Sequence, residues 1–323
     1  MIIVRRPLLA PLAACAALLL TACGGAASAS TATSSTSVGA EAVGLPSASA
    51  SAPTPRPSIT PTKPPKPVVP PSLKPPAGLS WRAVPGSAAV RLATIDGGAA
   101  TLMWLDSSRL RFHFVPGYSI PGGPSSALDT APSTWVPRMV AAFNGGFKLS
   151  DGAGGYYYRG HTVVPLVDGR AAFAIAKDGS IKVGVWGRDL RMSPSLLVVR
   201  QNLRPLVDHG ISKATPYDYA SRWGNANGGL ATANRTALGV RADGSLVFEY
   251  GHQVTAYAMA QGLVRAGVRV ALALDMNVTW PTGFVYAHHG GALSGKRINP
   301  AVMRPPSTYY ARFTKDFVAV LAR

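Results

Sequence analysis

Short apolar runs separated by turn residues dominate the chain from about residue 79 onward. Ser87–Ile95, Ala100–Leu105 and Leu110–Val115 have the length and composition of β-strands. Lys177–Ser180 and Arg241–Ser245 each place Asp-Gly between two apolar runs, which is a strong hairpin signal. The strands predicted to flank these turns are Ala171–Ala176, Ile181–Val185, Ala237–Val240 and Leu246–Tyr250.

One segment has helical periodicity. Thr255 can cap its N-terminus and Gly267 can end it in a left-handed conformation. The apolar residues between them that share one helical face are Ala256, Met259, Ala260 and Leu263. Val268–Leu274 follows as a buried strand that ends at Asp275. We therefore predict an α+β fold, with one domain over 79–323 dominated by antiparallel sheet and a few packed helices.

The N-terminus has the pattern of an export signal. Arg5 and Arg6 precede an apolar run, Leu8–Leu20, which is shorter than the roughly 20 residues of a transmembrane helix. Leu20–Cys23 resembles the lipobox of bacterial lipoproteins. We predict a signal peptide over 1–22, lipidation of Cys23 and an extracytoplasmic, membrane-anchored protein. The alternative is an ordinary cleaved signal peptide with a chance cysteine.

Residues 23–78 form a segment rich in Pro, Ser, Thr and Ala. Such a segment cannot bury enough apolar surface to offset its ordering entropy, so we predict a disordered stalk. A proline-rich docking motif is the alternative interpretation. The remaining cysteine, Cys15, would be removed with the signal peptide, so the mature domain would have no disulfide and no thiol nucleophile.

The chain is strongly basic, with 32 Lys and Arg against 14 Asp and Glu and a formal net charge of +18. A basic exported protein could face nucleic acid, anionic lipid or phosphate-rich wall polymers. The charges are scattered singly, which argues against a nucleic-acid partner. Gly290–Lys296 nearly matches a P-loop, but Arg297 stands where Ser or Thr is required. We predict no cofactor and no metal.

Polar residues follow predicted strands beside glycines in four places, which is how binding sites are built on a rigid sheet. The four segments are Asn144–Phe147, Gln201–Asn202, Arg235–Gly239 and Leu272–Asp275.

Taken in order, these segments resemble the phosphodiester glycosidase family, whose animal member is the uncovering enzyme that removes N-acetylglucosamine from a phosphodiester. Asn144–Phe147 matches the family's "NGGF", and Arg235–Gly239 matches "R-T-A-x-G". Gln201–Asn202 and the strand ending at Asp275 match further motifs, so the resemblance spans about 95–279. The family's three glycines and serine after the aspartate are replaced here by Met276–Thr279.

The resemblance implies the following roles. Asp275 would act as base or nucleophile, and Arg235 would hold the phosphate, because guanidinium binds it bidentately. The departing phosphate is a stable anion, so the second carboxylate of ordinary glycosidases is not needed. Substrate-binding roles fall to Asn144, Gly145, Gly146, Asn202, Thr236, Asn277 and Thr279, with the two glycine amides forming an anion nest. The structural alternatives are an ion pair for Arg235 and turn-capping for Asp275 and Asn144.

These features predict an extracytoplasmic hydrolase of sugar-1-phosphodiester linkages in cell-envelope glycans. The substrate would be an envelope glycan or sugar-phosphate polymer, and the lipid anchor would supply a membrane contact. The main alternative is a non-catalytic glycan-binding lipoprotein on the same scaffold, and a third possibility is a structural wall lipoprotein without a ligand site.

Overall fold

The computed structural model describes residues 71–123, 128–225, 231–290 and 292–323. The predicted signal peptide, Cys23 and the stalk up to residue 70 lie outside the described residues. The strands in chain order are β1 (Arg82–Val84), β2 (Ser87–Ile95), β3 (Ala100–Leu105), β4 (Leu110–Val115), β5 (Met139–Asn144), β6 (Tyr156–Tyr158), β7 (His161–Val164), β8 (Ala171–Ala176), β9 (Ile181–Val185), β10 (Leu196–Gln201), β11 (Val207–Asp208), β12 (Ile211–Ser212), β13 (Ala233–Arg241), β14 (Leu246–Val254), β15 (Val268–Met276), β16 (Gly283–His289), β17 (Ala292–Arg297) and β18 (Phe317–Ala322). The α-helix of this part is α1 (Ala256–Arg265).

The strands form three antiparallel sheets. The first has the order β1-β2-β3-β14-β13-β15-β11-β12, the second β7-β6-β10-β8-β9, and the third β17-β16-β5-β18-β4. The predicted α+β class is wrong, because the described part contains one α-helix and short 3-10 turns beside the sheets, which is nearly all-β. The segments between strands are mostly too short for helices, and only the segment beginning after Thr255 combines apolar 3.6-residue spacing with a cap.

Several predicted strands are confirmed with their bounds, including Ser87–Ile95, Ala100–Leu105 and Leu110–Val115. Both Asp-Gly hairpins are confirmed as β8–β9 and β13–β14. The near-match to a P-loop lies in the β16–β17 hairpin, which lacks the strand-to-helix passage that phosphate binding by such a loop requires.

The largest apolar cluster lies between the sheets. Phe248 and Leu274 of the first sheet, Phe173 of the second, and Phe143 and Val318 of the third are all completely buried in it. Tightly packed side chains from all three sheets therefore hold the strand ends in place, and this rigidity is what a precise site needs.

The helix α1 covers the other face of the first sheet. The Thr255 hydroxyl accepts a hydrogen bond from Ala258 N at 3.0 Å, as predicted for an N-cap, and Gly267 has φ of +73° beyond the C-terminus. Met259 and Leu263 are buried against this face. Within the described residues, no helix has the length and apolar character needed to cross a bilayer.

Candidate active site

A cleft of about 490 Å³ opens where several strand ends meet. Its wall includes the turn after β5, the residue after β10, and the segment that precedes β13. Asp275 and Lys315 contribute the buried charged groups of its floor. Other lining residues are Phe147, Lys148, Asp151, Leu203, Met276, Asn277 and Trp280.

A bulge in β15 positions Asp275. Ala273 pairs with Ala237, and Met276 pairs with Arg235, so two residues of β15 face one residue of β13, Thr236. The Thr236 hydroxyl accepts a hydrogen bond from Asp275 N at 3.2 Å. Bulges beside active sites commonly redirect a side chain. Here the bulge leaves the Asp275 carboxylate at the cleft floor rather than continuing the regular alternation of the strand.

A buried charge network lies beneath the cleft. Lys315 Nζ is 3.0 Å from Asp275 Oδ2 and 3.3 Å from Asp316 Oδ1, and it also donates to the Gly146 carbonyl. Asp316 in turn accepts from Arg200 Nε at 3.1 Å. The four charged side chains are almost fully buried, and their two positive and two negative charges balance.

Sequence reasoning missed Lys315, Asp316 and Arg200. The available signal was a Lys-Asp pair directly before an apolar strand, β18, and an arginine inside the otherwise apolar β10. Charged residues in strands that read as fully buried require partners, so their presence indicates a network.

Burial dominates the electrostatics of the central pair. Desolvation raises the pKa of the Asp275 carboxyl, and the neighbouring Lys315 ammonium opposes that rise. Burial by itself would lower the pKa of Lys315, but Asp275 and Asp316 more than offset it, so the pKa is raised overall. Lys315 therefore stays charged and favours the ionised form of Asp275.

Asn144 and Asn202 tie strand ends together. Asn144 Nδ2 donates to the Thr236 hydroxyl at 2.9 Å, and its Oδ1 accepts from Thr282 N at 2.9 Å. Asn202 Nδ2 donates to the carbonyls of Ala273 and Leu274, the segment that leads into Asp275. Both amides are buried and engaged within the protein, so they shape the floor of the cleft in this arrangement.

The amides of Gly145 and Gly146 face Asp316. Gly145 N donates to the Asp316 carbonyl at 2.9 Å and Gly146 N to its carboxylate at 3.3 Å. A Cβ on Gly145 would lie 2.2 Å from Asp316 Cγ, which explains why glycine is needed there. The predicted anion nest is thus occupied by the protein's own carboxylate.

Arg235 lies behind the cleft wall. Its guanidinium donates to the carbonyls of Val254 and Trp223 at 3.1 Å each, and Nη1 lies 3.4 Å from Met276 Sδ. It is 4% exposed and does not line the cleft. In this arrangement the structure does not bring together Arg235 and the Asp275 carboxylate.

Asn277 and Thr279 lie at the mouth of the cleft. Asn277 Oδ1 accepts hydrogen bonds from the backbone of Thr279 and Trp280 at 2.7 and 2.6 Å, which closes a tight turn after β15. The turn presents Trp280 to the cleft, and the Arg304 guanidinium lies 4.7 Å from the centre of its ring. Within the described part of the chain, no group of three His, Cys, Asp or Glu side chains could hold a metal ion.

The comparison with family models covers the segment from η-turn to catalytic strand end that builds this cleft. Residues 137–275 match the family model for phosphodiester glycosidase. The matched segment includes Asn144, Asn202 and Arg235 and ends at Asp275, and the family is one of hydrolases. The match supports the resemblance that the motifs indicate. A search of curated proteins found no match.

Three solved structures are similar in part. The zebrafish N-acetylglucosamine-1-phosphodiester alpha-N-acetylglucosaminidase catalytic domain, auto-inhibited by its pro-peptide, has 16% identity and a TM-score of 0.42, covering 76% of this chain and 88% of that one. A hypothetical protein from Synechocystis has 13% identity and a TM-score of 0.43, covering 76% and 61%. An exported protein from Burkholderia pseudomallei has 12% identity and a TM-score of 0.38, covering 72% and 74%.

Proposed function

We propose that this protein hydrolyses sugar-1-phosphodiester linkages in glycans of the cell envelope. The observation that carries the proposal is the Asp275–Lys315 pair at the floor of an open cleft, at the end of a segment that matches the phosphodiester glycosidase model. A carboxylate held ionised in a largely buried site can act as base or nucleophile.

The proposed reaction breaks the bond between the anomeric carbon of the sugar and the phosphate oxygen. Water supplies the oxygen that ends on the sugar, and the products are a free sugar, a phosphomonoester and a proton. Asp275 takes the proton from water, or attacks the anomeric carbon itself before water releases the sugar. The leaving phosphate needs no general acid, because it departs as a stable anion. A second catalytic carboxylate is therefore not required at this cleft.

Lys315 and Lys148 provide the positive charge in this scheme. Lys315 contacts Asp275 and is itself fully engaged, so it acts mainly as a positioning residue that keeps the carboxylate ionised. Lys148 lines the rim of the cleft and is exposed, so it can reach phosphate oxygens of a bound substrate. Trp280, also in the wall, offers an apolar ring surface to a sugar.

The envelope location and the polymeric substrate rest on the sequence. The lipobox-like Leu20–Cys23 places the protein outside the cytoplasm on a lipid anchor, and the net charge of +18 favours encounter with anionic polymers. Residues 23–78 then serve as a spacer between membrane and domain.

A non-catalytic glycan-binding protein is the second candidate. It is favoured by the replacement of the family's glycines with Met276–Val278, which places a bulky side chain in the cleft wall. Binding would then use Trp280 and the rim, while the Asp275–Lys315 pair would be purely structural.

One experiment separates these functions. The purified domain is incubated with N-acetylglucosamine 1-(methyl phosphate) and related sugar-1-phosphodiesters, and free sugar is measured. We expect turnover by the wild type, loss of turnover in folded Asp275→Asn, and retention in Asp178→Asn, a matched control in the distant β8–β9 turn. Binding without turnover would favour the glycan-binding function, and neither turnover nor binding across the panel would overturn both.

A further inference from the structure

Met276 separates two cavities. On one side lies the cleft, and on the other lies an internal recess of about 10 Å³ to which Arg235, Thr236 and Trp223 contribute. Asp275 and Met276 line both. The Met276 side chain therefore forms the wall between the carboxylate at the cleft floor and the cation behind it.

The cation behind this wall has no acidic partner among the described residues. Arg235 donates to backbone carbonyls and approaches the Met276 sulfur, and none of its hydrogen bonds or ion pairs involves a carboxylate. Burial lowers the pKa of the Arg235 guanidinium to about 10, so it carries its charge at pH 8. A full positive charge thus lies one side chain away from the cleft.

Packing holds Met276 in this position. Met276 and Arg235 are paired neighbours on β15 and β13. A Cβ on Gly224 would lie 2.5 Å from Met276 Sδ, which shows how closely the backbone of Gly224 approaches the sulfur. The side chain is 3% exposed and contacts Phe147 in a small apolar cluster. An unbranched thioether can fill such an irregular gap completely.

The charges that remain on the cleft floor are balanced. Asp275 and Asp316 offset Lys315 and Arg200, so a second negative charge on a bound phosphate meets no surplus cation there. The proposed reaction converts a singly charged phosphodiester into a phosphomonoester, which is doubly charged above its second pKa of about 6. Access to Arg235 would favour the product over the substrate.

We infer that Met276 is a selectivity residue that closes the cleft off from Arg235 and so favours singly charged phosphodiesters over doubly charged phosphomonoesters. The inference rests on the proposed function for the identity of substrate and product. By this arrangement the phosphomonoester product is released rather than retained. The cost of an alternative, a glycine at this position, would be product inhibition.

The test measures anion binding, so it needs no turnover. Methyl phosphate and dimethyl phosphate are titrated at pH 8 by calorimetry into wild type, Met276→Ala, Met276→Leu and Met276→Ala/Arg235→Gln. In Met276→Ala we expect affinity for methyl phosphate to rise about tenfold or more, as a new charge-assisted contact implies, and to rise less for dimethyl phosphate. Met276→Leu keeps the bulk and should match the wild type. The gain should vanish in the double variant.

A second measurement covers the case in which the double variant does not fold. Phenylglyoxal modification of Arg235 is mapped by peptide mass spectrometry in Met276→Ala, with and without methyl phosphate. We expect methyl phosphate to protect Arg235 in this variant and to have no effect on its modification in the wild type. Equal gains for the two anions, a gain that survives in the double variant, or absence of protection would each overturn the inference. Loss of the proposed hydrolase function would appear separately, as absence of turnover on sugar-1-phosphodiesters.

Discussion

Lys315 Nζ lies 3.0 Å from Asp275 Oδ2, with both side chains almost completely removed from solvent. Lys315 belongs to the segment before β18, and Asp275 to the bulged end of β15, so the pair joins the third sheet to the first. Removing either partner leaves an uncompensated buried charge, which is far costlier than losing a surface ion pair. The pair therefore couples the stability of the domain to the chemistry of the cleft.

Replacement of Lys315 should affect the pH profile as well as stability. Lys315→Met removes the charge that favours ionised Asp275, so the pKa of that carboxyl should rise further and the acid limb of kcat/KM should move to higher pH. Unfolding free energy should fall by about 3–5 kcal/mol, as expected on breaking a buried pair. Both are measured on the purified variant, with the exposed Lys182→Met as control. An unchanged acid limb in a folded variant would contradict the positioning role.

The pH dependence of the wild type follows from Asp275. Burial raises the pKa of its carboxyl above the ordinary value, and the proposed chemistry requires the ionised form. We therefore expect kcat/KM to fall as pH decreases through a pKa above that of an exposed aspartate, about 3.9. A pH–rate profile on a sugar-1-phosphodiester measures this limb. A profile flat down to pH 4 would show that Asp275 is not the group that must ionise.

Arg235 should matter for folding more than for catalysis. Its guanidinium joins the carbonyls of Trp223 and Val254 behind the cleft wall, and a lysine cannot make both contacts. Arg235→Lys should lower unfolding free energy by about 1–3 kcal/mol per buried partner left unsatisfied, while turnover per folded molecule is retained. Thermal melts and active-fraction-corrected rates decide this. A large loss of rate at unchanged melting temperature would return Arg235 to the phosphate-binding role that the sequence predicts.

Glu249 should make the domain less stable at alkaline pH. Its carboxyl is buried against α1 with Oε2 unpartnered in the described structure, and a Cβ on Gly262 would lie 2.7 Å from that oxygen. Burial raises its pKa well above the ordinary value, so the folded state retains the proton that the unfolded state loses. Stability from the neutral form is full below the unfolded pKa and is lost as pH rises towards the folded one, by up to about 1.4 kcal/mol per pH unit.

The Glu249→Gln variant tests this linkage. Its melting temperature relative to wild type should increase from pH 5 to pH 8, because glutamine stays neutral throughout. Asp168→Asn, an exposed carboxylate, reports the effect of losing a charge alone. A pH-independent difference would mean that Glu249 does not stay protonated in the folded protein.

The predicted anchor has a matched pair of cysteines for its test. Cys23→Ser should abolish lipidation and either release the protein from membranes or leave an unprocessed precursor. Cys15→Ser, within the apolar run of the same signal, should fractionate with membranes like the wild type. Fractionation and mass of the mature product are measured together. A mature-sized Cys23→Ser protein in the membrane fraction would contradict the lipobox interpretation.

Local sequence determined much of the scaffold. The bounds of β2, β3 and β4 and the Asp-Gly hairpins follow from short apolar runs and from turn residues that tolerate the required backbone angles. The Thr255 cap and the helix after it follow from periodicity and side-chain chemistry within one segment. The same motifs indicated the family that the model for 137–275 supports. The extent of helix was overestimated, because the fold class depends on what fills the spaces between strands.

Tertiary structure decided the site. Asp275 was identifiable as a polar residue ending a buried strand, but its partner Lys315 comes from another sheet and carries no local signal of that contact. Whether Arg235 faces the cleft or lies behind Met276 depends on a bulge that changes the register between two strands. Side-chain alternation is a local property, whereas register and the meeting of sheets are set by packing of the whole core. The sequence alone could therefore indicate which residues end strands, but only the packed sheets determine which of their charges meet.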